Sequence, residues 1–91
     1  MPEKYEYQRM EGDEVVALMR AANLSVSDLT RLFGRHYIEI RAYMNPDDKR
    51  RPTVPEMFIL IYLARHPQYV PVFKALADES ILRQMKKGET A

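Results

Sequence analysis

Apolar residues recur along much of the chain with the spacing of amphipathic helices. The first stripe, at i, i+3, i+4 and i+7, consists of Val15, Leu18, Met19 and Ala22. This spacing predicts a helix. Asn23 is expected to end it, because Asn tolerates the left-handed conformation that closes many helices. The preceding residues 1–11 are polar and lack this period, and we interpret them as an N-terminal arm.

Two short helices are predicted next, joined by a tight turn at Gly34. Ser25 and Asp28 have the spacing of a capping box at the start of a helix, and Gly34 can supply its left-handed end. The helix after the turn is expected to begin near His36, and its apolar stripe consists of Ile40, Tyr43 and Met44. Pro46 follows, so this helix should stop before residue 45.

The fourth predicted helix, residues 54–65, is apolar on all sides. Thr53 and Glu56 have the spacing of a second capping box. A helix without a polar face belongs in the centre of the core. Because a small monomer cannot cover such a helix on all sides, one side of it is expected to meet another chain. Met57, Leu60, Ile61 and Ala64 form the stripe predicted to seal the core.

Residues 69–85 supply one or two further helices after Pro67, and residues 86–91 are interpreted as a frayed tail. The fold class is therefore all-α, with five helices, or six if residues 69–85 are broken in two. Residues 12–85 form the predicted domain. The start of the chain has no signal-peptide pattern, and the apolar run 57–64 is too short to span a bilayer. We expect a cytoplasmic protein.

Charge is distributed unevenly although the formal net charge is only +1. Acidic residues dominate the first fourteen positions. Basic residues dominate positions 31–51, where Arg31, Arg35, Arg41, Lys49, Arg50 and Arg51 outnumber Glu39, Asp47 and Asp48. A basic segment of this kind fits an anionic partner, and an ordinary solvated surface is the alternative.

The order of these elements is typical of a helix-turn-helix, in which one helix braces across the DNA backbone and the next enters the major groove. Tyr37, Ile38, Arg41 and Ala42 are expected to point away from the apolar stripe of the third helix. A generic helical bundle is the alternative interpretation of the same periodicity.

The segment 15–67 resembles the Cro/repressor-type, xenobiotic-response-element-like family of helix-turn-helix proteins. The matching fragments, in order, are Leu24-Ser25, Asp28-Leu29, Arg31-Leu32-Phe33-Gly34, Ile40-Arg41-Ala42-Tyr43, Arg51-Pro52 and Leu63-Ala64-Arg65-His66-Pro67. The stretch 41–44 and its Asp-Asp-Lys loop are also similar to the small anti-CRISPR-associated repressors of phages. The resemblance implies a lambda-repressor-like bundle and a bacterial or phage-infected host cell.

Four positions depart from the family pattern, in three features. Val26 stands where the family usually has a phosphate-contacting Gln, and His36 stands where a Ser usually caps the recognition helix. At the base-reading positions, where the family usually has small, polar residues, this chain has Tyr37 and Ile38. Ile38 can offer only apolar contact, for instance to a thymine methyl group. These departures concern the detail of recognition and leave the expected fold unchanged.

Site residues follow from these interpretations. The predicted contacts to bases are Tyr37, Ile38, Arg41 and Ala42. The predicted contacts to the DNA backbone are Ser25, Arg35, His36, Lys49, Arg50 and Arg51. The predicted dimer interface consists of Phe58, Ile59, Tyr62, Leu63 and Phe73.

Other chemistry finds little support in the sequence. The two histidines are His36 and His66, there is no cysteine, and no pair has metal-ligand spacing. No phosphate-binding glycine loop or catalytic motif is present. We therefore expect no cofactor, no metal and no enzymatic activity.

The leading hypothesis is a homodimeric transcriptional repressor that binds an inverted repeat in double-stranded DNA, at its own promoter. Autoregulation and a mobile-element context are what the resemblance implies. One alternative is the antitoxin of a toxin–antitoxin pair, which would bind a toxin through residues 1–10 or through the segment after Asp78. Another is a protein-interaction module that has lost DNA binding, which Val26, Tyr37 and Ile38 would favour.

Overall fold

The described part of the chain folds into five α-helices and contains no strand, which confirms the predicted all-α class. The computed structural model describes the backbone of residues 6–90 and the side chains of residues 6–81. The helices are α1 (Gly12–Ala22), α2 (Val26–Phe33), α3 (Tyr37–Met44), α4 (Val54–Arg65) and α5 (Val70–Thr90), with a 3₁₀ turn at Pro67–Tyr69 between the last two.

Local capping fixes the ends of α1 and α2 as the sequence predicts. Asn23 closes α1 with a φ of 53°, and Gly34 closes α2 with a φ of 63°. At the start of α2, the Ser25 hydroxyl oxygen accepts from the Asp28 N–H at 3.1 Å, and the Asp28 carboxylate accepts from the Ser25 N–H at 3.0 Å. Both partners of the predicted capping box are therefore in place.

The helices pack around one core. Helix α1 lies against α3 and α4, and α2 lies against α3 and α5. The most deeply buried apolar side chains are Val15, Leu29, Ile40, Leu60 and Leu63. At Gly12, an added Cβ atom would lie 2.6 Å from the Met44 carbonyl oxygen and from the Pro46 nitrogen. The start of α1 can approach the end of α3 this closely only because Gly12 has no side chain.

The N-terminal arm takes part in this core. Met10 is buried, and the Arg9 guanidinium donates to the Pro52 carbonyl at 3.1 Å. Residues 1–5 of the predicted arm lie outside the described residues. The arm therefore adds a core side chain that the periodicity of the sequence did not indicate.

Helix α4 is turned differently from the prediction. Met57, Leu60 and Leu63 are buried together with Glu56, while Ile61 and Ala64 are only half-buried. The predicted interface role of Leu63 is wrong, because this side chain is fully enclosed in the core. An all-apolar helix has no polar face to fix its rotation, so the sequence could not show which stripe turns inward.

The C-terminal segment forms one helix after the 3₁₀ turn. Helix α5 continues to Thr90, past the expected boundary at residue 85. Of the predicted tail, residues 86–90 are helical in backbone, and residue 91 lies outside the described residues. Helix α5 is tied to α2 by ion pairs from Lys74 to Asp28, at 3.2 Å, and from Arg31 to Asp78.

Candidate nucleic-acid interface

Helices α2 and α3 pack against each other across the turn at residues 34–36, an arrangement consistent with a helix-turn-helix-type bundle. The first five residues of α3 include three large side chains that the core does not use. Tyr37 is 48% exposed and Ile38 is 50% exposed, and Arg41 is also exposed. These three positions, at i, i+1 and i+4, form one continuous surface on the helix, which we call the α3 outer face.

The aromatic ring of Tyr37 organises this face. The Arg41 guanidinium carbon lies 5.3 Å from the centre of the Tyr37 ring, within the range of a cation–π contact. His36, the residue before Tyr37, also contacts this ring, with 4.6 Å between the two ring centres. The contact holds Arg41 along the helix surface with its N–H groups available to a ligand.

His36 replaces the usual hydroxyl cap of a helix. Its Nδ1 atom accepts a hydrogen bond from the Ile38 N–H at 3.3 Å. Because Nδ1 is the acceptor of this bond, Nε2 is the ring nitrogen left to donate to a phosphate or a base. The predicted position of His36 beside the DNA is compatible with this cap.

Ala42 does not belong to the α3 outer face. It is 5% exposed, and both α1 and α2 pack against α3. The prediction that Ala42 contacts bases is therefore wrong, because the side chain is enclosed within the protein.

A buried carboxylate joins α3 to the rest of the fold. Glu56 is 7% exposed, and its oxygens accept hydrogen bonds from the Thr53 N–H at 2.8 Å and the Tyr43 hydroxyl at 3.2 Å. The Arg35 guanidinium donates to the same carboxylate at 3.2 Å. The Glu56 side chain thus connects the turn before α3, the last turn of α3 and the start of α4.

The ionisation of these groups reflects their burial and pairing. Burial raises the pKa of Glu56, but hydrogen bonds from Thr53 and Arg35 together lower it by more, so the net pKa is below its ordinary value. Burial and the nearby Glu56 carboxylate raise the pKa of the Tyr43 hydroxyl. Glu56 is therefore a carboxylate, and Tyr43 its neutral donor, at neutral pH.

Sequence reasoning identified Glu56 only as the second half of a helix cap. Its contacts to Arg35 and Tyr43 span 21 and 13 positions along the chain. Neither separation has a periodic signature, so only the folded arrangement reveals that the capping residue also positions α3.

Arg35 is engaged by other residues of the protein, although its side chain is partly exposed. Besides Glu56, it contacts the Glu39 carboxylate at 3.3 Å. With two carboxylate partners its guanidinium serves the fold, which argues against the predicted contact to the DNA backbone. Ser25 stays exposed, and its hydroxyl oxygen is occupied by the helix cap while its proton is free to donate.

The basic loop between α3 and α4 is partly neutralised by its own residues. Asp48 receives two hydrogen bonds from the Arg50 guanidinium, at 3.2 and 3.0 Å, and the hydrogen bonds from Arg50 lower the pKa of Asp48 to about 2. Arg51 donates to the carbonyl oxygens of Pro46, Asp48 and Arg50. Among the described residues Lys49 has no such partner, so it is the base of this loop most available to a phosphate.

Apart from the buried Leu63, the predicted dimer residues fall into two groups. Phe58 and Tyr62 are exposed, whereas Ile59 and Phe73 pack partly against the core. Tyr62 stacks on Tyr69 with 5.7 Å between ring centres. We use the name α4–α5 face for the exposed residues Phe58, Tyr62, Tyr69, Val72 and Leu76. The last three, spaced i, i+3 and i+7, were not selected from the sequence.

None of the described helices has the length and apolar character needed to cross a membrane. Within the described part of the chain, no three side chains of the metal-ligating types lie close enough together to hold an ion. Comparison with protein families, curated proteins and solved structures gave no match to this chain.

Proposed function

We propose that this protein binds double-stranded DNA in a sequence-specific manner and acts as a transcriptional regulator, without enzymatic activity. The observation that carries the proposal is the α3 outer face. Tyr37, Ile38 and Arg41 stand exposed on the helix that follows a tight turn, and α1 and α2 pack against that helix. A helix so placed fits the width of the major groove, and its free side chains meet base edges.

Charge supports the same orientation. Arg41 lies on the α3 outer face and Lys49 in the loop that follows α3, and both are exposed. Cationic side chains beside a groove-reading helix neutralise phosphates and release counterions, which supplies much of the affinity for DNA. Ser25 and His36 retain donors that can reach the DNA backbone at the starts of α2 and α3.

The regulator is proposed to act as a twofold dimer on an inverted repeat. Two copies joined through the α4–α5 face would present two α3 helices to one side of the duplex. Half-sites about 10 base pairs apart, or a multiple of this, are expected when the recognition helices are about 34 Å apart. Repression of its own promoter, in the cytoplasm of a bacterial or phage-infected cell, is the role we propose for this complex.

Selection of bound duplexes from random DNA tests the proposal directly. The expected result is one enriched motif, with inverted symmetry, whose binding weakens steeply as salt is raised. Failure to enrich any motif at low salt, with protein shown to be folded by its thermal transition, would contradict it.

A protein-interaction role is the second candidate. The observation that favours it is the apolar character of Tyr37 and Ile38. In addition, Arg35 and Arg50 each form ion pairs with carboxylates of the same chain. The partner would be a protein with an apolar site, and a toxin bound by an antitoxin is one form of this. Selection without an enriched motif, followed by specific association with a protein encoded beside the gene, would favour this candidate.

A further inference from the structure

The α3 outer face has an unusual chemical content for a surface that reads bases. Of its three side chains, Ile38 offers no hydrogen bond and Tyr37 offers mainly a ring with one hydroxyl. Arg41 is the one charged donor. A face of this kind can distinguish base pairs chiefly by apolar contact and by a single guanidinium.

Base edges in the major groove provide one apolar group, the C5 methyl of thymine. Ile38 is half exposed, so contact with a methyl group would remove apolar surface from water on both sides. In the same groove, guanine presents two acceptors, O6 and N7, which match two N–H groups of an arginine. Arg41 is held along the helix by its contact with the Tyr37 ring at 5.3 Å.

The spacing of these residues limits where the two contacts fall. Side chains at i and i+3 on a helix are neighbours about 5–6 Å apart, and base pairs are stacked about 3.4 Å apart. Ile38 and Arg41 therefore reach base pairs that are adjacent or separated by one step.

We infer that the recognition helix reads a thymine methyl group through Ile38 and a guanine through Arg41, within two base pairs of each other in each half-site. This inference rests on the proposed DNA-binding function and specifies the chemistry of the site that is read. Ile38 is then a specificity-determining residue, and the methyl group is the feature that it detects.

Deoxyuridine provides a test that does not disturb the protein, because it differs from thymidine only by the missing methyl group. In a duplex obtained by selection, each thymine is replaced singly and the affinity is measured for wild-type and Ile38→Ala protein. At one position in each half-site the wild-type protein should lose about fourfold in affinity, the value of one buried methyl group. The Ile38→Ala protein should show no loss there.

The guanine is tested in the same duplex. Replacement by 7-deazaguanine removes the N7 acceptor and should weaken binding of the wild-type protein but not of the Arg41→Ala protein. Thymines and guanines in the flanking sequence serve as controls, and thermal unfolding verifies that each variant is folded.

The outcomes separate this inference from the proposed function. A duplex that is bound specifically but tolerates deoxyuridine at every position would overturn methyl reading and leave DNA binding standing. Equal losses in the wild-type and Ile38→Ala proteins would overturn the assignment to Ile38. Absence of any selected duplex would overturn the proposed function and the inference with it.

Discussion

At the scale of single residues, Arg41 is positioned by chemistry that is visible in the fold. Tyr37 precedes it by one helical turn, and the ring-to-guanidinium contact reduces the freedom that Arg41 would lose on binding. We predict that Arg41→Ala loses roughly 1–3 kcal/mol of specific DNA binding, the scale of a good contact to a base. Titration of the selected duplex at fixed salt measures this loss.

Arg65→Ala is the matched control for Arg41→Ala. Arg65 is also an exposed arginine, but it is the last residue of α4, whereas Glu56 lies in the first turn of that helix. The control removes the same charge and should leave the specific affinity nearly unchanged. Equal affinities of the two variants for the selected duplex would remove Arg41 from the recognition surface.

Glu56 is the second residue with a consequence beyond its own position. Replacement by Gln keeps one acceptor but removes the charge that Arg35 pairs with, and it places an NH₂ group among existing donors. We expect Glu56→Gln to lower the free energy of unfolding by about 1–3 kcal/mol at neutral pH. Glu39→Gln removes only the partly exposed ion pair between Glu39 and Arg35, so it should lower the free energy of unfolding by less than about 1 kcal/mol. Chemical denaturation measures both variants.

The effect of Glu56→Gln should depend on pH in a defined direction. The pKa of Glu56 in the folded protein lies below its ordinary value of 4.5, so the unfolded chain binds the proton more readily. The stabilisation is present above the ordinary pKa and is lost as the pH falls through the lowered one. The stability difference between wild type and Glu56→Gln should therefore shrink in acid. A difference that stays constant from pH 7 to about 3 would contradict the network.

At the scale of elements, Gly12 and Gly34 are required for different reasons. Gly12 lacks space for a Cβ, whereas Gly34 has open space but a φ of +63°. We predict that Gly12→Ala and Gly12→Asn both destabilise the fold by about 1–3 kcal/mol, since α1 and the end of α3 must move apart. Gly34→Asn should be tolerated, because Asn accepts the left-handed conformation. Thermal unfolding of the three variants compares them, and a stable Gly12→Asn would refute the close approach.

The loop between α3 and α4 has bases with unequal roles. Lys49 is available to a phosphate, while Arg50 pairs with Asp48 and Arg51 binds loop carbonyls. We expect Lys49→Ala to reduce the slope of log affinity against log salt by about 0.9, the value of one phosphate contact. Arg51→Ala should instead lower the melting temperature. An unchanged salt slope for Lys49→Ala would make this loop a structural turn only.

The sequence predicted elements better than it predicted their rotation. Helix ends depend on nearby residues, so the caps at Ser25, Thr53, Asn23 and Gly34 were predictable from spacing alone. Burial depends on which neighbours cover a helix. Ala42 was therefore predicted on the wrong side of α3, because its own sequence does not show which helices cover it. Leu63 was predicted on the wrong side of α4, because an all-apolar helix has no polar face that fixes its rotation.

The candidate site was predictable to a similar extent. Tyr37, Ile38 and Arg41 are exposed as expected, because an apolar stripe at i, i+3 and i+4 fixes the opposite face of a short helix. The ion pairs that Arg35 and Arg50 form with carboxylates of the same chain were not predictable in the same way. Charge counts along a chain do not show which charges the fold neutralises.

At the scale of the whole molecule, the α4–α5 face is a group of large apolar side chains that the described part of the chain leaves exposed. Its five side chains are between 41% and 56% exposed. Since a large apolar side chain buries up to about 150–250 Å², together they offer on the order of 500 Å². A standard interface uses roughly 800 Å² on each partner, so this face would supply more than half of the area that the proposed second copy needs. A chain of 91 residues also gains needed stability from added burial.

The dimer is testable by placing a charge in this face. Val72 is 52% exposed, so glutamate there can be solvated in a monomer, but it would be buried without a partner in the dimer. We expect wild-type protein to sediment as a dimer at micromolar concentration and Val72→Glu to sediment as a 10.7 kDa monomer. Ala17→Glu, an equal change on an exposed position of α1, should remain dimeric. Because the dimer couples two half-sites, Val72→Glu should also lose on the order of 10²-fold in affinity for the full inverted repeat, while it keeps the wild-type affinity for one half-site. A wild-type protein that is monomeric throughout and selects a single asymmetric site would exclude this assembly.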